Sequence, residues 1–374
     1  MSSGILNERV REELESLVRE TNEIGLQVAA YLDGELVVDA WAGTADPATS
    51  RPVQGDSLFM SSSSSKGLAA TCIHACADRL GLSYDMPIAD VWPEFAAHGK
   101  EAATLRHALC HQTGVPQTPP GYRPGWLTDW DRMCCAIADV PPMFPPGSRT
   151  AYHSTTFGYI VGEVLRRVDG RPIAQFLTEE ICAPLGIDAY FGVPDDEMHR
   201  VAVLVDGPPA PEEYMGRLVG EPAGCRVAEV FNQPAILQAS IPGSGGVFSA
   251  RGLARHYAML AGFGELGEVR ILPSSRVRKA TELQSYDIDE IYRIRVRRGL
   301  GYRLGADCGP LASPLAFGHV GGGGSFGYAD PARRLAIGFT KNYFIHRTAI
   351  ATSGKTLPSP AKRVAEAVFE ALGL

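Results

Sequence analysis

Two strand-rich ends enclosing a helical middle constrain this chain more than any other feature. Near the start, residues 26–32 and 35–41 are apolar-rich runs joined by Asp33-Gly34, and an Asp-Gly pair between such runs is a strong hairpin signal. Near the end, residues 317–319, 325–329 and 335–341 read as further strands, with Asp330-Pro331 turning the last pair. Leu6, Val10, Leu14, Leu17 and Val18 recur at helical spacing at one terminus. At the other, Ser359 caps a helix that opens on Pro360 and stacks Val364, Val368 and Leu372 on one face. Between the ends, from about residue 60 to 260, helical patterns (66–80, 156–167, 173–181, 252–262) alternate with Pro/Gly-rich loops.

The economical architecture is a mixed α/β (α+β) fold. An antiparallel sheet domain is expected from residues 1–65 and 240–374, flanked by the terminal helices. A largely helical domain is expected from residues 66–239, with the active site at the interface of the two.

Composition narrows the function classes. A formal charge of -7, with no basic arm or aromatic–basic stripe, offers no footprint for nucleic acid. No run approaches the roughly 20 apolar residues of a membrane span. The first residues lack the basic and apolar regions of a secretory signal, so a soluble, cytoplasmic protein is expected. Its eight cysteines (Cys72, Cys76, Cys110, Cys134, Cys135, Cys182, Cys225, Cys308) form no CxxC pair and read as small buried hydrophobes.

The chemistry-bearing stretch is FMSSSSSKGLAATCIHACADRL. A serine-rich loop capping a helix is its plain reading. Residues three apart share a helix face, however, and of the five serines only Ser63 stands three before Lys66. A serine hydroxyl needs a neighbour to take its proton, and a desolvated lysine can do so. A serine at a helix start also offers a backbone N–H toward a developing oxyanion. Later, PPGSRTAYHSTTFGYIVGEVLRRVDG places Tyr152 and Ser154 ahead of a helix, and FGHVGGGGSFGYADP places His319 on a strand leading into glycines.

In this order, SxxK, YxS and HxG resemble the three motifs of the serine β-lactamase and penicillin-binding-protein superfamily. The similarity is to its class C-like branch, which includes the family VIII carboxylesterases. LRHALCHQTGVP and SGGVFSARGLARHYAML extend the likeness over most of the chain. The resemblance implies an α/β sandwich plus a helical domain. It implies that Ser63 is the acylated nucleophile, that Lys66 holds or accepts its proton, and that Tyr152 relays protons in both half-reactions. It also implies an oxyanion hole made by the N–H groups of Ser63 and Gly322, the latter following His319-Val320-Gly321, with Ser154, His319 and Gly321 toward the substrate. Ser154 stands where β-lactamases carry Asn, and His319 where they carry Lys. Both departures favour an uncharged ester, so the expected activity is hydrolysis of short-chain, including aryl, carboxylic esters. A β-lactamase, a D-alanyl-D-alanine peptidase, an acyltransferase and a silent binding scaffold are the rival readings. The rich proline and aromatic content of residues 115–144 (Pro119, Pro120, Tyr122, Trp126, Trp130, Phe144) suggests long loops, either lining an apolar gorge for a small acyl or aromatic group or packing as a surface loop.

Three further patterns carry less. Gly323-Gly324-Ser325-Phe326-Gly327 satisfies GxSxG, but a strand rather than a helix follows, and after Ser325 the only histidine is His346. The same glycines match GxGxxG without a βαβ unit. His107 and His111 have zincin spacing, but Ala108 stands where the general-base Glu belongs, so they read as structural. No metal or cofactor is called for by any pattern.

Overall fold

The structure is a computed structural model that describes residues 3–208, 226–309, 313–345 and 359–374. Cys225 and His346 lie outside the described residues.

Both chain ends contribute to one seven-stranded antiparallel sheet. Its strands are β1 (Gly25–Leu32), β2 (Glu35–Asp46), β3 (Arg51–Pro52), β4 (Arg303–Leu304), β5 (Phe317–Val320), β6 (Phe326–Asp330) and β7 (Leu335–Lys341), ordered β4-β5-β6-β7-β1-β2-β3. The join between chain ends is the β1–β7 ladder, with Val28 opposite Phe339. Asp33 and Gly34 turn β1 into β2 with φ of 51° and 86°. Left-handed backbone at both central residues is what a two-residue hairpin needs, and an Asp-Gly pair adopts it at low cost.

Alternation of side chains explains how this sheet is buried on both faces. Leu26, Val28 and Ala30 of β1, with Leu335, Ile337 and Phe339 of β7, pack among the apolar faces of α1 (Ser3–Glu20) and the C-terminal helix (Pro360–Leu372). From those helices come Leu6, Val10, Leu14, Leu17, Val364 and Val368. Ala29 and Tyr31 face the other way, into the core with Leu253, Ala254 and Tyr257 of the helix Ala250–Ala261. Buried Gln27 pins that helix: its Oε1 accepts from Ala250 N at 2.5 Å while its Nε2 donates to Gln54 O and Gly55 O at 2.9 Å.

α2 (Ser65–Leu80) and α3 (Thr156–Asp169) pack together beyond this helix. The ring of Tyr257 keys α2 to the sheet, because it fills the space that a side chain at Gly67 or Gly327 would need.

Several boundaries differ from the sequence reading. The helix expected from 252 begins at Ala250, because Ser249 is an N-cap whose side chain accepts from Gly252 N. The helix expected over 173–181 is α-helical over Ile173–Phe176 and then widens to a π-helix over Leu177–Cys182. Residues 115–144 are not simply loop: Trp130–Ala138 is a helix, capped by Asp129, which accepts from Arg132 N at 3.0 Å. Its Trp130 packs on Tyr159 with ring centroids 5.0 Å apart and donates Nε1–H to Glu163 at 2.8 Å. Tyr122 and Trp126 are partly buried against the main core, and Phe144 is the one of the set that clusters with Tyr152. Cys135 is exposed, unlike the other described cysteines, because it faces away from its neighbour Cys134 on that helix. Among the described residues, no helix is long and apolar enough to cross a membrane.

Candidate active site

Three elements meet at Ser63. It sits in the single 3-10 turn Ser62–Ser64 that leads into α2. Ser62 just before it has φ 47°, a left-handed conformation that is costly for a non-glycine residue and concentrates at functional sites.

The hydroxyls of the serine run separate cleanly. Ser61 Oγ donates to Phe59 O at 3.0 Å, Ser62 Oγ lies 3.7 Å from Met60 Sδ, and Ser64 Oγ donates to Ser325 O at 3.2 Å. Ser65 Oγ donates to Ser62 O and accepts from Gly246 N. Ser63 Oγ instead accepts from Lys66 Nζ at 3.2 Å. Four hydroxyls are committed to local scaffolding, and one faces the lysine.

Lys66 is fully buried. Its Nζ also donates to the backbone carbonyls of Ser154, at 2.7 Å, and Gly243, at 2.5 Å. Gly158 permits this arrangement, since a Cβ there would strike the main chain of Gly243. Among the described residues, no carboxylate compensates the ammonium. Burial, reinforced by the positive charges of Arg303 and Arg298, therefore drives the Lys66 pKa well below its ordinary value. The side chain is poised to hold a neutral amine, which can accept a proton.

Tyr152 lies against this amine, with Lys66 Nζ 4.8 Å from its ring centroid. Burial raises the phenol's pKa, with neighbouring Tyr292 adding to the effect, while Arg303 and a hydrogen bond to Ser63 oppose it. The ring is held on two sides, by His111 with centroids 4.8 Å apart and by Tyr292 at 4.9 Å.

The surrounding imidazoles are uncharged. His153 donates Nδ1–H to Ala151 O at 2.6 Å, and its Nε2 accepts from Thr113 Oγ1 at 2.7 Å. Its backbone N–H donates to His111 Nδ1 at 3.1 Å. Burial lowers the His153 pKa to about 4 and those of His111 and His319 well below the usual imidazole range. His319 donates Nδ1–H to Val320 O at 2.9 Å, which leaves Nε2 as an acceptor.

Ser154 meets Lys66 through its main-chain carbonyl. Gly321 N–H is committed to Ser325 O at 2.7 Å, so it is not an oxyanion donor. Gly322 lies beside Ser62, where a Cβ would approach Ser62 Oγ to 3.4 Å. Ser325 closes the glycine turn and is followed by β6 rather than a helix, so it does not occupy an elbow. Ser325→Ala should accordingly leave the rate of acylation within about threefold of wild type by stopped-flow measurement. Loss of acylation would restore Ser325 as a candidate nucleophile. His107 and His111 do not converge, since His107 Nδ1 accepts from Thr104 N at 3.2 Å within a capping box.

The residues given no site role by the sequence are His111, read there as structural, and Tyr292, Asp289, Arg298 and Arg303, which carry no motif. Their only prior signals were the HxxxH spacing and the basic run RIRVRRGLGYR.

Residues 10–350 match the family described as Beta-lactamase. The Esterase/beta-lactamase LipL of Mycobacterium tuberculosis is 32% identical, over 85% of this chain and 77% of its own length. A crystal structure of a family VIII carboxylesterase superposes with a TM-score of 0.87 at 33% identity, covering 98% of this chain and 97% of that one. A penicillin-binding protein homologue from Caulobacter crescentus gives 0.84 at 32%, with the same coverage. With a match over most of its length and this architecture, the chain belongs to the beta-lactamase family of serine hydrolases.

Proposed function

We propose that the protein hydrolyses carboxylic esters with short acyl groups through an acyl-enzyme on Ser63. The observation that carries this reading is the buried Lys66 amine, held between Ser63 Oγ and two main-chain carbonyls, with no carboxylate partner among the described residues.

In acylation, Ser63 Oγ attacks the ester carbonyl carbon as its proton moves to Lys66 through the adjoining Tyr152 hydroxyl. The N–H groups of Ser63 and Gly322 receive the oxyanion. When the ester C–O bond breaks, Tyr152 delivers the proton to the departing alkoxide, releasing the alcohol. In deacylation, water attacks the acyl carbon and gives a proton to the same pair. Ser63 Oγ leaves, recovers that proton, and the carboxylic acid is released. Every proton taken in one half-reaction is returned in it.

Two features support an ester over a lactam. His319 is neutral, so the strand leading to the glycines presents no fixed cation to a substrate carboxylate. Relatives at similar identity include proteins named as esterases. The second reading, β-lactam hydrolysis, draws on the penicillin-binding-protein homologue and on the double name of LipL. A panel of acyl esters and a chromogenic cephalosporin, run on wild type and Ser63→Ala, separates them. Ser63-dependent turnover of the esters, with slow or absent opening of the cephalosporin, is expected. The reverse preference would overturn the ester reading.

Two aromatic side chains beside the centre support a short acyl group. Phe344 lies on the glycine turn, where a Cβ at Gly322 or Gly323 would come within 3.0 Å of its ring, and Phe144 packs beside Tyr152. Aryl acetates and butyrates are expected to exceed aryl dodecanoates in kcat/KM by roughly tenfold or more. A preference for the long chain would contradict this.

A further inference from the structure

The buried charges behind Tyr152 do not balance. Arg298, 2% exposed, is paired with fully buried Asp289. The other oxygen of Asp289 accepts from the amides of Ile291 and Tyr292 at 2.9 and 3.0 Å, which fixes the turn carrying Tyr292. Arg303, only 8% exposed, makes no salt bridge among the described residues. Its Nη2 donates to Tyr292 Oη at 3.1 Å, and its Nε is buried without a hydrogen-bond partner. Its guanidinium carbon lies 5.5 Å from the centroid of Tyr152 and 5.2 Å from that of Tyr292.

A buried cation without a counter-ion costs stability. Packing alone does not explain it, because an apolar side chain of similar length would fill the same space without that cost. Every other group facing Tyr152 leaves Arg303 as the unbalanced charge. From the turn Ser62–Ser64 comes Ser63, and from α2 comes Lys66. From the segments before α3 and after the helix Leu105–Leu109 come neutral His153 and His111. From β5 comes neutral His319, and from residues 289–298 come Tyr292 and the closed Asp289–Arg298 pair.

We propose that Arg303 is a positioning residue for the reaction above: its guanidinium, set against the rings of Tyr152 and Tyr292, is a fixed positive charge that keeps the Lys66–Tyr152 pair in its proton-accepting form near neutral pH. This rests on the ester-hydrolysis reading. The sign is the same for both members of the pair. A nearby cation disfavours the ammonium of Lys66 and favours the phenolate of Tyr152, so each gives up its proton at lower pH. Because the two groups are coupled, they act as one acidic limb in the pH dependence of kcat/KM. Direction and geometry agree, since Arg303 is the foremost charge acting to lower both.

The test is the pH profile of kcat/KM for an aryl acetate in wild type, Arg303→Met, Arg303→Lys and Tyr292→Phe. In Arg303→Met the acid limb should move up by about one to two pH units. Activity at pH 7 should fall by at most roughly tenfold per pH unit of that shift, with recovery toward the wild-type plateau at alkaline pH. Arg303→Lys, which keeps the charge but not the planar fork, should hold the limb near its wild-type position. Tyr292→Phe, which removes only the hydroxyl contact, should leave the limb in place. A uniform loss at all pH values in Arg303→Met, with an unmoved limb, would reduce Arg303 to a packing role and overturn the proposal. Should that variant fail to fold, Arg303→Gln also removes the charge while keeping a hydrogen bond to Tyr292, and it has the same two outcomes. Failure of the ester reading is separately visible, because wild type would then show no Ser63-dependent turnover to profile.

Discussion

Ser63→Ala should lower kcat/KM for an aryl acetate by at least about 10⁴-fold, with no acyl-enzyme detectable, while the thermal unfolding transition stays nearly unchanged. The size of the effect comes from the absence of a substitute. Each of the other four serines in the run has its hydroxyl engaged elsewhere, by Phe59 O, Met60 Sδ, Ser325 O or Ser62 O. None stands three residues before Lys66 on the same helical face, so none inherits the proton acceptor. The structural cost is small because Ser63 Oγ is not part of the scaffold. Its partner Lys66 Nζ retains two carbonyl acceptors, at 2.7 and 2.5 Å, when the hydroxyl is removed. Loss of about 1 kcal/mol or less in stability is expected, the size of one hydrogen bond. Residual turnover above a hundredth of wild type would mean that another nucleophile, or a directly activated water, carries the chemistry.

Tyr152→Phe should cost roughly 10²- to 10⁴-fold in kcat, the usual contribution of a positioned proton donor or acceptor. The substitution isolates the hydroxyl. The ring remains packed against His111 and Tyr292 at 4.8 and 4.9 Å, and Lys66 Nζ remains over its face. Fold and substrate binding should therefore persist while proton transfer fails. Burst kinetics add a sharper expectation. Both half-reactions use the phenol, so the acylation burst and the steady-state rate should both slow, with KM changing by less than about fivefold. A variant with normal acylation and slow deacylation alone would confine Tyr152 to the second half-reaction.

The parts of this fold that were legible in the sequence are those where a local rule and the tertiary contact agree. Asp33-Gly34 specifies its own turn, and strict alternation in β1 sends Val28 and Ala29 to opposite layers of core. The terminal helices show their buried faces directly through Leu6, Val10, Leu14 and Leu17, and through Val364 and Val368. Ser63 was legible because an i, i+3 relation on a helix is a geometric statement that one lysine satisfies for one serine.

What was not legible depended on irregular chain. Residues 285–297 pair only through isolated bridges such as Ser285 with Arg298 and Ile288 with Arg295, and no periodicity announces them. Arg298 ends the basic run RIRVRR and Arg303 lies five residues further on, and both are buried. Their burial is decided by Asp289 and Tyr292, partners that come from a turn rather than a regular element. His111 reads as structural in the sequence because Ala108 stands where a zincin's general-base Glu belongs, and its ring packs against Tyr152. The helix Trp130–Ala138 was obscured by the prolines on either side, although Asp129 carries an ordinary N-cap signal. Ser154 shows a different limit. Motif spacing identified the position, but a main-chain carbonyl makes the contact, and no side-chain pattern reports that.

The most direct test of the central claim is labelling of the native protein with a fluorophosphonate, followed by fragmentation mass spectrometry able to distinguish positions within the run Ser61 to Ser65. The account predicts a single phosphonyl adduct on Ser63, abolished in Ser63→Ala and retained in Ser325→Ala. An adduct on Ser325 or on another serine of the run, or no adduct on an intact and folded protein, would contradict it.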